Sequence, residues 1–149
     1  MEEEYLNLLR LFHAEGVEYL VVGGYAVIAH GFPRTTGDLD LWVQPTAPNA
    51  RRVVRALARF GYAQGEFEEA DFLLVPNFIS FNSNGAWIDL MTDVLGVSFA
   101  EALTSSLELT FAEVPVRYIG LAALRKTKQA TGRPQDLRDL ENLPSSSPD

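Results

Sequence analysis

The chain has 149 residues, the size of one ordinary domain with a real hydrophobic core. It carries 12 Lys and Arg against 20 Asp and Glu, and this net charge of −8 argues against broad electrostatic binding to nucleic acid or anionic lipid. Cysteine is absent, which excludes disulfides and thiolate zinc sites, and no apolar run is long enough to span a bilayer. The first residues are acidic where a signal peptide would be basic and then apolar. We therefore expect a cytoplasmic protein with no membrane partner.

The N-terminal part of the chain alternates helical and extended patterns. Apolar residues at helical spacing predict amphipathic helices, and a continuous apolar run that ends at Gly23 and Gly24 is typical of a buried strand. A short helix after the glycines ends at His30-Gly31-Phe32-Pro33, because glycine suits a left-handed cap and the residue before proline avoids helical angles. These patterns predict helices over residues 2–16, 25–29 and 49–60, and strands over residues 19–22 and from 39 onward.

The C-terminal part begins with strands and closes with helices. Asn84-Gly85 between two apolar runs is a strong hairpin signal, and Gly132 followed by Pro134 separates two helices. The last six residues are too polar and proline-rich to pack, so we expect a single domain over residues 1–143 and a disordered tail over 144–149. Strands are predicted over residues 72–75, 78–81, 86–92 and 114–119, and helices over 99–103, 121–131 and 134–143. The fold class is α/β (α+β), a small twisted mixed sheet with flanking helices.

Two aspartates one residue apart, Asp38 and Asp40, are the most informative feature of the sequence. Alternate side chains of a strand share a face, so both carboxylates point one way while Leu39 and Leu41 point to the core. Two carboxylates held this close repel each other, and a cation bound between them would offset this repulsion. Magnesium is the hard cation that prefers such oxygen ligands, with Mn²⁺ as the alternative.

A third aspartate and a glycine pair extend this pattern. Asp89 lies in an apolar strand, where a charged residue needs a reason, and a third carboxylate would allow a second metal at roughly 3.5–4 Å. Gly23 and Gly24, at a strand-to-helix turn, let the backbone approach a phosphate closely. Together these elements suit phosphoryl transfer.

The residues resemble a known family. Thirteen residues separate Gly23-Gly24 from Asp38-Leu39-Asp40, a spacing similar to the signature of the polymerase-beta-like nucleotidyltransferase superfamily. Its members move a nucleoside monophosphate from a triphosphate to an acceptor. A narrower resemblance, to the small bacterial AbiEii-type relatives of abortive-infection systems, rests on four runs. These are Gly23-Gly24-Tyr25-Ala26, His30-Gly31, Arg34-x-Thr36-x-Asp38-Leu39-Asp40-Leu41 and Lys128-x-x-x-Gly132-Arg133-x-x-Asp136-Leu137.

The resemblance implies a role for each matching carboxylate. Asp38 and Asp40 match the metal-binding pair, and Asp89 matches the carboxylate that ligates metal and activates the acceptor hydroxyl. All three are therefore the expected catalytic and metal-binding residues of a magnesium-dependent enzyme. A structural alternative for Asp89 is a carboxylate bonded to the backbone amides of the hairpin.

The resemblance also implies a nucleotide site and a partner class. Gly23 and Gly24 match the phosphate-binding turn, and Lys128 and Arg34 would neutralise triphosphate charge. Lys128 has an alternative reading as an ordinary surface charge on a solvated helix. We expect the donor to be a nucleoside triphosphate, with ATP as the first candidate. The expected acceptor is tRNA, a protein or a small molecule.

Two departures from the family pattern bear on the acceptor. Many members have Gly-Ser where this chain has Gly-Gly, so that a hydroxyl contact to phosphate is missing. The chain also lacks the large extra domain with which polymerases grip their acceptor.

Two other functional classes fit parts of the pattern. The first is a catalytically silent binding or regulatory protein of the same fold, such as one half of a toxin–antitoxin pair with a cognate partner. The second is a sugar-nucleotide glycosyltransferase, although that class usually needs a longer doubly wound domain and would leave Gly23-Gly24 unexplained.

Overall fold

The computed structural model describes residues 1–62 and 65–145 and shows six helices around a six-stranded mixed sheet in these ranges. The helices are α1 (Glu3–Ala14), α2 (Gly23–Ala29), α3 (Ala47–Phe60), α4 (Phe99–Thr104), α5 (Leu121–Thr131) and α6 (Pro134–Asn142). The strands are β1 (Tyr19–Val22), β2 (Asp38–Val43), β3 (Phe78–Ser83), β4 (Ala86–Met91), β5 (Leu107–Phe111) and β6 (Val114–Tyr118). The predicted α+β class with a small twisted mixed sheet is confirmed.

The sheet has the strand order β3-β4-β2-β1-β6-β5. The hairpins β3/β4 and β5/β6 form its two ends, and β1 pairs antiparallel with β2. Two parallel pairings, β2 with β4 and β1 with β6, join the hairpins to the centre. The central strands are therefore β1, β2, β4 and β6, each with a neighbour on both sides.

A continuous apolar core lies between the sheet and the helices. Every residue of β1 is buried, and β4 is buried at four of its six positions. Helix α1 packs against α3 on the same layer. The largest fully buried side chains come from all these elements: Trp42, Tyr5, Tyr118, Phe12, Phe72, Leu8, Leu9, Leu20, Leu39, Leu41, Leu57 and Ile88.

The predicted strand over residues 72–75 is wrong. Phe72 ends a single 3-10 turn (Glu69–Phe72) and is 1% exposed, whereas Leu74 is 61% exposed. Side-chain hydrogen bonds hold this segment in a turn instead of a ladder: Thr92 donates from Oγ1 to the Leu74 carbonyl at 2.7 Å, and Asn77 donates from Nδ2 to the Asp71 carbonyl at 2.8 Å. Phe72 thus contributes its side chain to the core from a turn, and the apolar run over residues 72–75 forms no strand.

Strand β5 was not predicted from the sequence. It alternates half-buried and exposed residues and forms an edge of the sheet, so its apolar signal is weak. Residues 146–149 of the predicted disordered tail lie outside the described residues. Across the described ranges, no helix combines the length and apolar character that crossing a bilayer requires.

Asn49, at the start of α3, fastens this helix to the sheet. It is 1% exposed, accepts the Glu18 amide at 2.7 Å, and donates from Nδ2 to the carbonyls of Glu18 and Gln44, both at 2.9 Å. One side chain thus satisfies buried backbone groups at the entrance to β1 and the exit from β2.

We expect Asn49→Ala to lower the free energy of unfolding by about 2–3 kcal/mol, because the backbone groups it leaves are buried and unpaired. Urea denaturation of the two proteins measures the change. Asn142→Ala is the matched control, since Asn142 is exposed and bonds only to the Arg138 carbonyl of its own helix. An equal loss in both variants would contradict this role for Asn49.

Candidate active site

Three carboxylates meet on one face of the sheet. The parallel pairing of β2 and β4 places Asp40 directly opposite Asp89, and Asp38 lies two residues away on the same face. Asp38, Asp40 and Asp89 each offer an oxygen within 4.8 Å of the other two. We call these residues the carboxylate trio.

Burial and neighbouring negative charge disfavour ionisation of Asp40 and Asp38. Asp89 is 7% exposed, Asp40 is half-buried and Asp38 is exposed. Burial, a hydrogen bond to Asp89 and the nearby negative charges raise the pKa of Asp40 to about 7, and burial with the charge of Asp89 raises the pKa of Asp38. The surrounding protein therefore does not fully offset the negative charge at Asp38 and Asp40.

Gly23 and Gly24 lie so close to Asp40 and Thr36 that neither position has space for a side chain. Gly23 has a φ of +68°, and a Cβ there would lie 2.0 Å from Oδ2 of Asp40. A Cβ on Gly24 would lie 2.4 Å from Oγ1 of Thr36. Glycine is thus required at both positions by the close approach of protein side chains, a reason that the sequence pattern did not indicate.

Lys128 is buried in an ion-pair network beside the trio. It is 6% exposed, and its Nζ lies 3.1 Å from Oδ1 of Asp136 and 3.1 Å from Oδ2 of Asp139. The predicted alternative of an ordinary surface charge is therefore wrong for Lys128. Asp136 and Asp139 are 1% and 0% exposed, so each needs a cationic partner.

Two arginines complete this network. Nε of Arg34 lies 2.9 Å from Oδ1 of Asp139, and Arg133 donates from Nε to Oδ2 of Asp136 at 2.8 Å. Burial opposes ionisation of Asp136 and Asp139, but their hydrogen bonds to these cations and to neighbouring donors prevail and lower the pKa of both carboxyls. Three cations thus face two anions, and the side chain of Arg133 remains 73% exposed.

A cavity of about 510 Å³ opens over the trio. Lys128 and Arg133 of the network line it, together with the hydroxyl residues Thr127 and Thr131. The lining also includes apolar residues of β3, β4 and the segment after β4, which are Phe78, Met91, Val94 and Leu95. Asp93 of the same segment lines the cavity as well. A second cavity of about 300 Å³ adjoins Gly24, Arg34 and Thr36.

Gly96 brings the segment after β4 close to α5. It follows Leu95, and a Cβ at Gly96 would lie 3.0 Å from the Lys126 carbonyl of α5. Its φ of +93° also favours glycine. The segment after β4 is therefore packed closely on the helix that carries Lys128.

The structure brings the predicted site residues into one region. Asp38, Asp40, Asp89, Gly23 and Lys128 line the large cavity, and Gly24 and Arg34 line the adjoining one. The sequence did not predict a role for Arg133, Asp136, Asp139 or the apolar residues of the cavity lining. The first two lay within the quoted C-terminal motif, whereas Asp139 on a polar helix gave no sign of its burial.

Comparison with solved structures identifies the fold. Over 95% of this chain and 92% of the other, the structure matches a protein from Thermotoga maritima that is classed provisionally as a nucleotidyltransferase, with a TM-score of 0.62 and 16% identity. It also matches the lincosamide antibiotic adenylyltransferase LnuA in its lincomycin-bound form, with a TM-score of 0.63 and 18% identity over 99% of this chain and 98% of that one. The chain has the nucleotidyltransferase fold. No family model and no curated protein matches the sequence.

The carboxylate trio fits a divalent cation. Three carboxylate oxygens within 4.8 Å of one another are the hard ligands that Mg²⁺ and Mn²⁺ prefer. The raised pKa values of Asp38 and Asp40 are consistent with a shortage of positive charge beside them, since Lys128 is already paired with Asp136 and Asp139. A bound dication would supply that charge.

The metal-free protein should lose stability as the pH rises. The pKa of Asp40 is raised from 3.8 to about 7, so between these values the folded state binds more protons than the unfolded state, and the free energy of unfolding falls with increasing pH. Thermal melts in EDTA should show a decrease of several degrees from about pH 5 to pH 8. Asp40→Asn should flatten this slope.

Glu3→Gln, on α1, is the control for the change in net charge and should keep the slope. A similar decrease in Asp40→Asn and the native protein would show that another group causes it.

Proposed function

We propose that this protein is a metal-dependent nucleotidyltransferase. It moves a nucleoside monophosphate from a nucleoside triphosphate, with ATP as the first candidate, to a hydroxyl group of an acceptor. The observation that carries the proposal is that the carboxylate trio and the cations Lys128 and Arg133 line one cavity of about 510 Å³. Anionic ligands for metal and cationic ligands for phosphate are the two groups that phosphoryl transfer requires.

Asp38, Asp40 and Asp89 would hold the cation, Mg²⁺ or alternatively Mn²⁺. When bound, the cation neutralises charge on the phosphate oxygens and stabilises the charge that develops during transfer. Asp89 is the member of the trio on β4, separate from the Asp38/Asp40 pair on β2. We assign it the role of receiving the proton of the acceptor hydroxyl.

The cationic side of the cavity would bind the triphosphate. Arg133 offers an exposed guanidinium for bidentate contact with phosphate oxygens, and Lys128 supplies a fixed ammonium behind it. Arg34, held by Asp139, lies in the adjoining cavity beside Gly24. Asp136 and Asp139 would act as positioning residues because they orient these cations.

The proposed transfer conserves all atoms and electrons and needs no co-reactant besides the triphosphate and the acceptor. A bond forms between the acceptor oxygen and the α-phosphorus, while the bond from the α-phosphorus to the bridging oxygen breaks. Its electron pair leaves with pyrophosphate.

The match to LnuA, an adenylyltransferase, covers 98% of the LnuA chain. This coverage supports the proposal that a chain of this length suffices for the reaction. A toxin–antitoxin role and a cytoplasmic location stay predictions.

Each of Asp38→Asn, Asp40→Asn and Asp89→Asn should lower transfer at least about 100-fold, because each removes a ligand or the proton acceptor. The assay follows pyrophosphate release and label from α-labelled ATP with Mg²⁺, across tRNA, protein and small-molecule acceptors. Asp40→Asn should also lose the rise in melting temperature that Mg²⁺ and ATP give the native protein.

Glu108→Gln, at the far end of the sheet on β5, is the matched control and should keep full activity. Binding of ATP without pyrophosphate release under any condition would favour the catalytically silent alternative. Sugar transfer without pyrophosphate would favour a glycosyltransferase.

Arg133→Gln should raise the KM for ATP about tenfold, since one charge-assisted contact to phosphate is lost. Asp136 keeps its bonds to Lys128 and Thr131, so the fold should be retained. Arg138→Gln is the matched control, because Arg138 is an exposed arginine of α6, the helix that follows Arg133, and does not line the cavity. Steady-state kinetics at saturating acceptor measure both, and an equal change in KM would contradict a specific phosphate contact.

A further inference from the structure

Large apolar side chains are exposed together at one corner of the sheet. In residues 1–62 and 65–145, eight large apolar side chains are exposed, and five of them belong to the segment before β3, the start of β3 and the segment after β4. Three of the five follow one another directly and lead into Pro76, which is exposed as well. We call this set the apolar corner: Leu73, Leu74, Val75, Phe78 and Leu95, each at least 42% exposed.

Hydrogen bonds hold the members of the apolar corner next to one another. Thr92 is 3% exposed, donates from Oγ1 to the Leu74 carbonyl at 2.7 Å and accepts the Asn77 amide at 2.9 Å. Phe78 follows Asn77 and lines the large cavity together with Leu95. The corner is therefore one surface that reaches the candidate active site. Single exposed leucines are ordinary, whereas exposed apolar side chains that lie together mark an interaction surface.

The stretch of sequence that contains the apolar corner has acidic residues and no basic ones. Residues 61–116 include nine Asp and Glu but no lysine, arginine or histidine. This stretch therefore carries more negative charge than the whole chain, whose net charge is −8. Two of its acidic residues lie next to the corner. Asn77 donates from Nδ2 to the Asp71 carbonyl at 2.8 Å, and Asp93 follows Thr92.

This charge decides among the possible occupants of the corner. Nucleic acid and anionic lipid would be repelled, because residues 61–116 offer no cation to a phosphate group. A second copy in a two-fold contact would place the same acidic stretch against itself. A partner protein with lysine or arginine around an apolar centre complements both the charge and the apolar side chains.

The backbone of β3 favours a helix over an added strand. The Asn77 carbonyl accepts the Thr92 amide of the neighbouring chain segment, so the backbone groups of Phe78 and, by alternation, Asn82 point to the free edge of the sheet. Side chains already occupy both positions: Asn77 Oδ1 accepts the Phe78 amide at 3.0 Å, and Tyr62 donates from its hydroxyl to the Asn82 carbonyl at 3.4 Å. A partner strand would have to break these bonds, whereas a helix needs only side-chain contacts.

We propose that the apolar corner is a docking site for a partner protein that presents an amphipathic helix, with apolar side chains on one face and lysine or arginine beside them. The apolar face would pack on Leu74, Phe78 and Leu95, and the cations would be attracted by Asp71 and Asp93. Because Phe78 and Leu95 also line the large cavity, the bound helix would lie beside the candidate active site. This docking site goes beyond the proposed function and does not depend on it.

The test measures the binding of labelled synthetic peptides to the full chain by fluorescence anisotropy. The first peptide is a helix of leucine and lysine, about 18 residues long so that it can form in water. The second has glutamate in place of lysine, and the third alternates leucine and lysine and favours an extended strand. We expect the first peptide to bind at least about tenfold more tightly than the other two.

Substitutions locate the binding surface. Leu74→Ser and Leu95→Ser should each weaken the binding of the leucine–lysine helix about tenfold, the scale of a lost apolar anchor. Asp93→Asn should weaken it about threefold and reduce its dependence on salt. Leu137→Ser and Glu141→Gln are the matched controls, since both residues are exposed on α6 outside residues 61–116, and neither should change the affinity. Thermal melts establish that each variant is folded.

Several outcomes would overturn the inference. Equal losses in the corner variants and the controls would show that net charge alone causes the binding. No binding of the leucine–lysine helix up to roughly 100 μM would exclude the docking site. A dimer of the native chain that Leu74→Ser disperses would assign the corner to a second copy. Binding to phosphatidylcholine vesicles that Leu74→Ser abolishes would assign it to a membrane. None of these outcomes involves the carboxylate trio, so the proposed function is tested separately.

Discussion

The site depends on the parallel pairing of β2 with β4. This pairing joins strands that are far apart in the sequence and sets Asp40 opposite Asp89. A slip of one residue would turn Asp89 toward the core and bring Ile88 or Leu90 to the site face. The hydrophobic pattern prevents that slip, because Ile88 and Leu90 are almost fully buried. The energy of the core therefore holds together three carboxylates that repel one another.

The ion-pair network solves a different problem, that of keeping cations next to anions without neutralising the site. Asp136 and Asp139 bind Lys128, and Asp139 also binds Arg34. Buried ion pairs contribute little net stability, but removing one partner leaves an uncompensated charge at a cost of roughly 3–5 kcal/mol. The network is thus best understood as fixing the position of the cations rather than as stabilising the fold.

The sequence was sufficient for the parts of the protein that obey local rules. Strand alternation predicted the shared face of Asp38 and Asp40, and the isolated charge in an apolar strand singled out Asp89. It failed where tertiary packing decides the outcome. Phe72 belongs to a turn because its side chain fills the core, and no local pattern separates that from a strand.

The same limit applies to the site. Asp139 is fully buried by α5, α6 and Arg34 together, so its environment depends on contacts between residues over 100 positions apart. The apolar part of the cavity lining was not predicted either, because Phe78 and Leu95 resemble ordinary core residues until the fold shows them exposed. Chemistry-bearing residues were visible in the sequence, whereas the residues that surround and orient them were not.

The close packing at Gly96 has a mechanical consequence. The segment after β4 lies against the backbone of α5, since a Cβ at Gly96 would be 3.0 Å from the Lys126 carbonyl. A side chain at position 96 would therefore force this segment, which includes Leu95 of the cavity lining, away from the helix that carries Lys128. A residue that bears no chemistry of its own thus influences the shape of the cavity.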